Sequence, residues 1–288
     1  MIPLRGISAA ALVLAAACSR GPAPRQYELN GQILGIKPEE REVLIKHRDI
    51  KGFMPGMTMP FKVADPALLQ GRQPGDLVTA TLVIAGTDAH LSTLTRTGAA
   101  PLDVPPTPAT ATSGFELLKQ GEVVPDHLLI DQDGTPRPLS SLRGHRIALT
   151  FTYTRCPMPN FCPLMDRHFA ALQREIKKTP ALADVRLLSV SFDPQFDTPR
   201  TLKTHANKLE ADPLVWNFVT GDRDEIARFA ARFGVAIERA EQNPVEITHN
   251  LRTAILDPQG RLVKVHTGNS WTPTDLLVDL KAVPAQAE

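Results

Sequence analysis

The sequence predicts an α/β sandwich on a mixed sheet, preceded by a small all-β barrel, and three observations carry that expectation. Strand-like and helix-like runs alternate through residues 115–284, as they do where helices pack on a sheet. Residues 27–95 hold only short β-type runs broken by Gly, Pro and Asp, with no long helical pattern. Between them, residues 96–114 include TGAAPLDVPPTPATATS, which lacks hydrophobic periodicity and has the composition of a semi-extended linker.

In the first module the strand-like runs are 31–36, 42–46, 57–63 and 77–84. In the second they are 147–153, 186–192, 215–219, 252–256 and 262–266. Phe161, Leu164, Met165, Phe169, Leu172 and Ile176 recur at helical spacing. Further helices are expected from Pro199 to about Glu210, from Arg223 to Phe233 and from Thr272 to Leu280. Asp257-Pro258-Gln259-Gly260 reads as the turn of a late hairpin. Trp216 and Trp271 have no cationic or aromatic partner pattern and are expected in the core or an interface.

With 32 basic and 31 acidic residues, and no basic run or aromatic-rich basic patch, the chain has no sequence signature of a nucleic-acid partner. Residues 1–18 place one early arginine before an apolar stretch, Ile7 to Ala17, which is too short to span a bilayer and reads as an export signal. Three cysteines are present, Cys18, Cys156 and Cys162. A disulfide-stapled scaffold uses more, so a single pair in an exported chain points to redox or metal chemistry.

That pair stands in TRCPMPNFCPLMD, at a strand-to-helix junction with Pro163 expected as the first helical residue. Unpaired N–H groups and the helix dipole stabilise a thiolate at such a position, so Cys162 is expected to have a lowered pKa. Two prolines restrict the five-residue spacer, and a Cys156–Cys162 disulfide is possible if the Cα atoms come within about 7 Å. Two thiolates need a further ligand to hold soft Cu(I), and imidazole is the usual complement. The best candidate is His249 in VEITHNLRTAILDPQG.

Several motifs add to this reading. The stretch FTYTRCP, the second cysteine followed by proline, SVSFDPQFDTP at 189–199 and THNLRTAILDPQGRLV at 248–263 together resemble the Sco/SenC family of copper-handling proteins, across nearly all of 115–284. The resemblance implies a thioredoxin-like fold. It also implies that Cys156, Cys162 and His249 are copper ligands, with Asp193 as the acidic residue near the site. The family's usual spacer has three residues where this chain has five, which brings Met158 into consideration as an extra soft ligand. Asp197 is read instead as the N-terminal cap of a helix. Arg155 adjoins Cys156, but its direction is not set by sequence.

Three of the six methionines fall in HRDIKGFMPGMTMPF, as Met54, Met57 and Met59. On a strand, Met57 and Met59 share a face, and with His47 they supply two thioethers and an imidazole, soft enough for Cu(I). The alternative is a methionine-filled core face. This stretch, with Phe61 and PGDLV at 74–78, resembles the CusF-like family of small, OB-like, periplasmic copper-binding β-barrels. The family's metal-capping tryptophan corresponds here to Met54, with Phe53 beside it. The ending Leu-Ala-Ala-Ala-Cys resembles a bacterial lipobox, which implies lipid on Cys18 and a membrane-anchored lipoprotein of the periplasm or cell envelope.

Together the resemblances imply a copper metallochaperone that binds Cu(I), and Cu(II) as a further state. Its acceptor would be a cytochrome oxidase subunit with a dinuclear copper centre. One rival is a thiol-disulfide oxidoreductase that uses Cys156 and Cys162 as catalytic residues and has no need of His249. The other is a copper-tolerance binding protein without an oxidase client.

Overall fold

The computed structural model describes residues 23–102, 116–240 and 243–285; residues 1–18, expected to be an export signal ending at Cys18, and most of the linker lie outside them. Five antiparallel strands form the first module: β1 (Arg25–Lys37), β2 (Glu42–His47), β3 (Met57–Lys62), β4 (Asp76–Ala85) and β5 (Asp88–Ala99), in the sheet order β3-β2-β1-β4-β5. Alternate residues face inward: Val43, Ile45 and His47 on β2, and Met57, Met59 and Phe61 on β3. They meet as directly opposed pairs, Val43 with Phe61, Ile45 with Met59 and His47 with Met57. The two edge strands touch at one parallel bridge, Val63 with Leu91, so the sheet curls into an OB-like shape without a continuous closing ladder.

Strand β5 is absent from the sequence expectation, and it carries on through Ala99, beyond residue 95. Its outward positions are Ser, Thr and Arg, and its ladder to β4 slips at Thr81/Leu82 and at Leu77/Val78. The irregular register breaks the strict alternation that marks a strand in sequence.

The second module is a seven-stranded sheet between helices. Its elements are β6 (Leu128–Asp131), β7 (Pro136–Pro138), β8 (Arg146–Thr152), α1 (Cys162–Lys178), β9 (Val185–Ser191), α2 (Pro199–Lys208), β10 (Trp216–Thr220) and α3 (Arg223–Arg232). A small hairpin, β11 (Ile237–Ala240) with β12 (Asn243–His249), precedes β13 (Arg252–Leu256), β14 (Leu262–Thr267) and α4 (Pro273–Ala282). Sheet order is β14-β13-β8-β9-β10-β6-β7, with β8, β9 and β10 parallel and the outer strands antiparallel. The pairs β6/β7 and β11/β12 escaped the sequence reading, because β6, β7 and β11 have only three or four residues and carry too little periodicity to announce a partner for the seven-residue β12.

Phe169, Leu172 and Ile176 of α1, Leu202 of α2, and Leu276 and Leu280 of α4 share one core with Ala148, Leu187 and Trp216. Phe229 and Ile226 of α3 cover the opposite face, against Leu149, Phe151 and Val190. Trp216 is fully buried, and its Nε1–H donates to Ser189 Oγ. Trp271 is buried beside the rings of His168 and His266. The parallel strands β8 and β9 are apolar along most of their length because both faces are covered. Their C-terminal ends deliver the chain to the cysteine loop.

Gly31 on β1 lies opposite His47, where a Cβ would come 2.6 Å from both Ile45 Cγ2 and the Lys46 carbonyl oxygen. Gly31→Ala is therefore expected to destabilise the barrel by about 1–3 kcal/mol, read as an earlier barrel transition in urea unfolding of the full chain.

Candidate metal centre

After β8 the chain turns at Tyr153–Cys156, and Cys156 N–H donates to the Tyr153 carbonyl at 3.4 Å. The turn is held from below by Asp197, which is fully buried. Its carboxylate accepts from Thr154 N–H at 3.0 Å, from the Thr154 hydroxyl and from the Ser191 hydroxyl. The reading of Asp197 as a helix cap is therefore corrected: Thr198 caps α2 by accepting from Thr201 N–H. Asp197 instead fastens the β9–α2 loop to the cysteine loop, which puts a buried charge to use as a three-way acceptor.

Arg155 points away from the cysteines. Its Nε and Nη2 donate to Asp193 at 3.0 and 2.6 Å, and its guanidinium lies 4.4 Å from the Phe196 ring centre. Asp193 thus touches Arg155 rather than a sulfur, and burial raises its pKa against the pull of that guanidinium.

Helix α1 begins at Cys162 itself, with Pro163 second. Cys162 is buried, Cys156 is half-buried, and both are free thiols. The expected acidity falls on the other sulfur. A hydrogen bond from Cys162, followed by His249, pulls the Cys156 thiol well below its ordinary value. Burial pushes Cys162 well above its own. Desolvation at Cys162 outweighs the helix N-terminus, a competition the sequence position alone does not display.

His249 ends β12 and brings Nε2 to 3.9 Å from Cys162 Sγ. Its Nδ1 lies 3.1 Å from the Asn250 carbonyl, an acceptor that fixes the ring with Nδ1 protonated and Nε2 facing the sulfur. Phe192 and Tyr153 flank the ring at 4.6 and 5.6 Å. Asn250 is itself anchored, donating to Gly234 O and accepting from Ala236 N–H, both at 2.9 Å. No carboxylate belongs to this donor set. Among the described residues, no group of three or more His, Cys, Asp and Glu is gathered as a preformed cage. Two thiols and an imidazole suit a soft ion such as Cu(I) rather than a hard cation.

In the barrel, His47 repeats the device. Its Nδ1 lies 2.8 Å from the Arg48 carbonyl, and its buried Nε2 has no hydrogen-bond partner. Burial lowers its pKa, which keeps the imidazole neutral and its lone pair free at neutral pH. The ring packs edge-on to Phe61 at 5.5 Å and stands directly across from Met57, with Met59 two residues on along the same face. Phe53 stacks on Tyr27 at 4.5 Å. Sequence reasoning overlooked Tyr27 and Asn250, which hold their neighbours through contacts distant in sequence or through the backbone.

The barrel and the cysteine loop share a boundary. Met54, Met57, Met59, Cys156, Met158 and His249 all line one narrow cavity between the two modules.

The family model described as SCO1/SenC matches residues 116–284, more than half of the chain. The chain belongs to the SCO1/SenC family. A second model, described as the copper binding periplasmic protein CusF, matches residues 26–96 of this SCO1/SenC chain, so its barrel is CusF-like. The SCO1 protein homolog of Bacillus subtilis is 32% identical over 154 residues, covering 53% of this chain and 78% of that protein. The crystal structure of a SCO1/SenC family lipoprotein from Bacillus anthracis matches at 28% identity and a TM-score of 0.51, over 58% of this chain and 99% of the other. The mixed sheet and its helices are thus the thioredoxin-like Sco fold.

Asp197→Ala removes the acceptor shared by Thr154 and Ser191, and it is expected to cost roughly 2–3 kcal/mol of stability. Guanidinium unfolding followed by tryptophan fluorescence measures the loss. Asp197→Asn, which keeps an acceptor oxygen, should recover part of it.

Proposed function

We propose that this protein is a copper metallochaperone of the cell envelope. In this reading Cys156, Cys162 and His249 hold Cu(I), and Cu(II) in a second state, and pass it by ligand exchange to an acceptor. Copper is the metal, as the description of the CusF family model and the soft donors of both modules agree. His47, Met57 and Met59 hold copper in the barrel. The single observation that carries the reading is the approach of His249 Nε2 to Cys162 Sγ, with Nδ1 at the Asn250 carbonyl. A histidine oriented in that way presents a lone pair to the ion that the sulfurs bind.

The delivery target is proposed as a cytochrome oxidase subunit with a dinuclear copper centre, on the strength of the family. Lipid on Cys18 would tether the chain to the membrane. That anchor matters because no helix among the described residues is long and apolar enough to cross a bilayer.

One observation favours a second reading. The cysteines are free, and one thiol donates to the other, whose acidity is raised. This arrangement suits thiol-disulfide exchange, in which Cys156 and Cys162 lose two electrons and two protons to form a disulfide. An acceptor disulfide would gain them as two thiols. That chemistry needs no metal ligand at His249, which acts only on the acidity of Cys156.

Anaerobic Cu(I) titration of the reduced full chain against a chelating competitor separates the two. His249→Ala is expected to weaken the tight copper at least tenfold, about 1.4 kcal/mol. Unchanged affinity would overturn the cysteine-cysteine-histidine site. In the redox reading, His249→Ala changes the rate of reduction of a small-molecule disulfide only through the acidity of Cys156 and leaves the reaction in place, whereas Cys156→Ser abolishes it.

A further inference from the structure

Six methionines occur in the chain, and four of them, Met54, Met57, Met59 and Met158, line one cavity between barrel and cysteine loop. Among the described residues only Met165 is elsewhere, in the core under α1, where Thr253 donates to its sulfur. Ordinary packing does not call for this concentration. Leucine or isoleucine fills a well-defined core better, whereas methionine is flexible and specifies its neighbours poorly. All four are at most 8% exposed, and the wall facing the barrel methionines includes Cys156, Met158 and His249.

The cavity is small, about 20 Å³. That is room for one water-sized guest, enough for a bare ion but not for a hydrated one. A metal ion inside it must exchange water for protein donors, and beside the hydroxyl-bearing Thr58, Tyr153 and Thr248 the soft donors lining it are thioethers, a thiol and an imidazole.

The residues between the two cysteines hold the modules together there. Asn160 Nδ2 donates to the Ala89 carbonyl on β5 at 3.3 Å. Asn269 in turn donates to the Asn160 carbonyl at 2.7 Å, which stiffens the loop from the far side. Met158 and Phe161 of the same spacer are buried in one cluster with Met54, Met57 and Met59. The spacer is therefore a docking element that carries a thioether to the junction of the two donor sets.

We propose that this cavity is a shared Cu(I) chamber, in which Met158 of the cysteine spacer and Met54 of the barrel are thioether donors to the same ion that Cys156, Cys162 and His249 hold. The inference rests on the copper reading of the cysteine site and extends it. Copper leaving the Met57–Met59 face then reaches the cysteines without entering water. The metal remains Cu(I) throughout: each thioether–copper bond that breaks is replaced by a thiolate–copper bond, and any proton still on the thiols passes to solvent. The barrel serves as donor and cover for one ion, and both ligand sets are parts of one path.

The test is an anaerobic titration of the reduced full chain, labelled with ¹³C at the methionine methyls, with Cu(I) to one equivalent. The expected result is that the Met54 and Met158 methyl resonances shift in step with the His249 ring signals. In Met158→Leu, which nearly conserves volume, copper is expected to escape to a chelator about threefold faster or more, most of the change lying in dissociation. If the His249 signals shift while the Met54 and Met158 methyls stay at their copper-free positions, the shared chamber is overturned and the cysteine site stands. If the His249 signals do not respond at all, the copper reading of that site has failed instead.

Discussion

The cysteine site depends on one buried carboxylate. Asp197 stands beneath the C-terminal ends of β8 and β9 and accepts from both, through Ser191 on one side and Thr154 on the other. A charge taken so far from water is tolerated only when its oxygens are saturated with donors. The requirement works in both directions. To keep Asp197 satisfied, the cysteine loop must lie against the β9–α2 loop, and that position sets where Cys156 emerges and where α1 begins. Asp193, four residues earlier, engages Arg155 and draws that cation away from the sulfurs. The two aspartates of one loop thus shape the site without contacting the thiols.

The two candidate histidines show how a weak donor is turned into a directed one. In each, Nδ1 meets the carbonyl of the next residue, which leaves Nε2 to face the site: at His249 it approaches Cys162 Sγ, and at His47 it is buried without a hydrogen-bond partner among the described residues. The device is local, so it can be built on an unrelated strand in either module. What differs is the company: thioethers around His47 and thiols around His249. Thioethers are neutral, whereas thiols become anionic when they bind metal, so the second set holds a cation more strongly. In the proposed transfer, an ion passing between them would move toward the cysteines. Burial works against the thiolate form of Cys162, so its anionic charge there depends on a compensating cation.

Much of this architecture was legible in the sequence. The alternation of strand and helix runs in the second module follows from the need to cover both faces of a parallel sheet, and most of its elements lie where periodicity puts them. Met57 and Met59 share a face because a strand repeats every two residues, and His47 is across from them because a tight antiparallel ladder pairs β2 with β3. Strand β5 was hidden by its slipped register and polar outer face. The hairpin ending at His249 was hidden because its first strand has only four residues. The acidity of the cysteine pair was assigned to the wrong sulfur, since the helix-terminus argument is local and the desolvation that defeats it is not.

By itself, then, the sequence determined which soft donors are at hand: the pair Cys156 and Cys162, eight histidines of which family resemblance marks out His47 and His249, and a run of methionines. It also determined the periodic elements that bear them, because helical and strand repeats are properties of neighbouring residues. Tertiary structure alone decided that Asp197 is a tether, that Arg155 turns to Asp193, and that the barrel methionines meet Met158 and Cys156 in one cavity. Those facts depend on residues as much as about a hundred positions apart, such as Met59 and Met158, being driven together by burial. No pattern along the chain encodes which apolar face covers which.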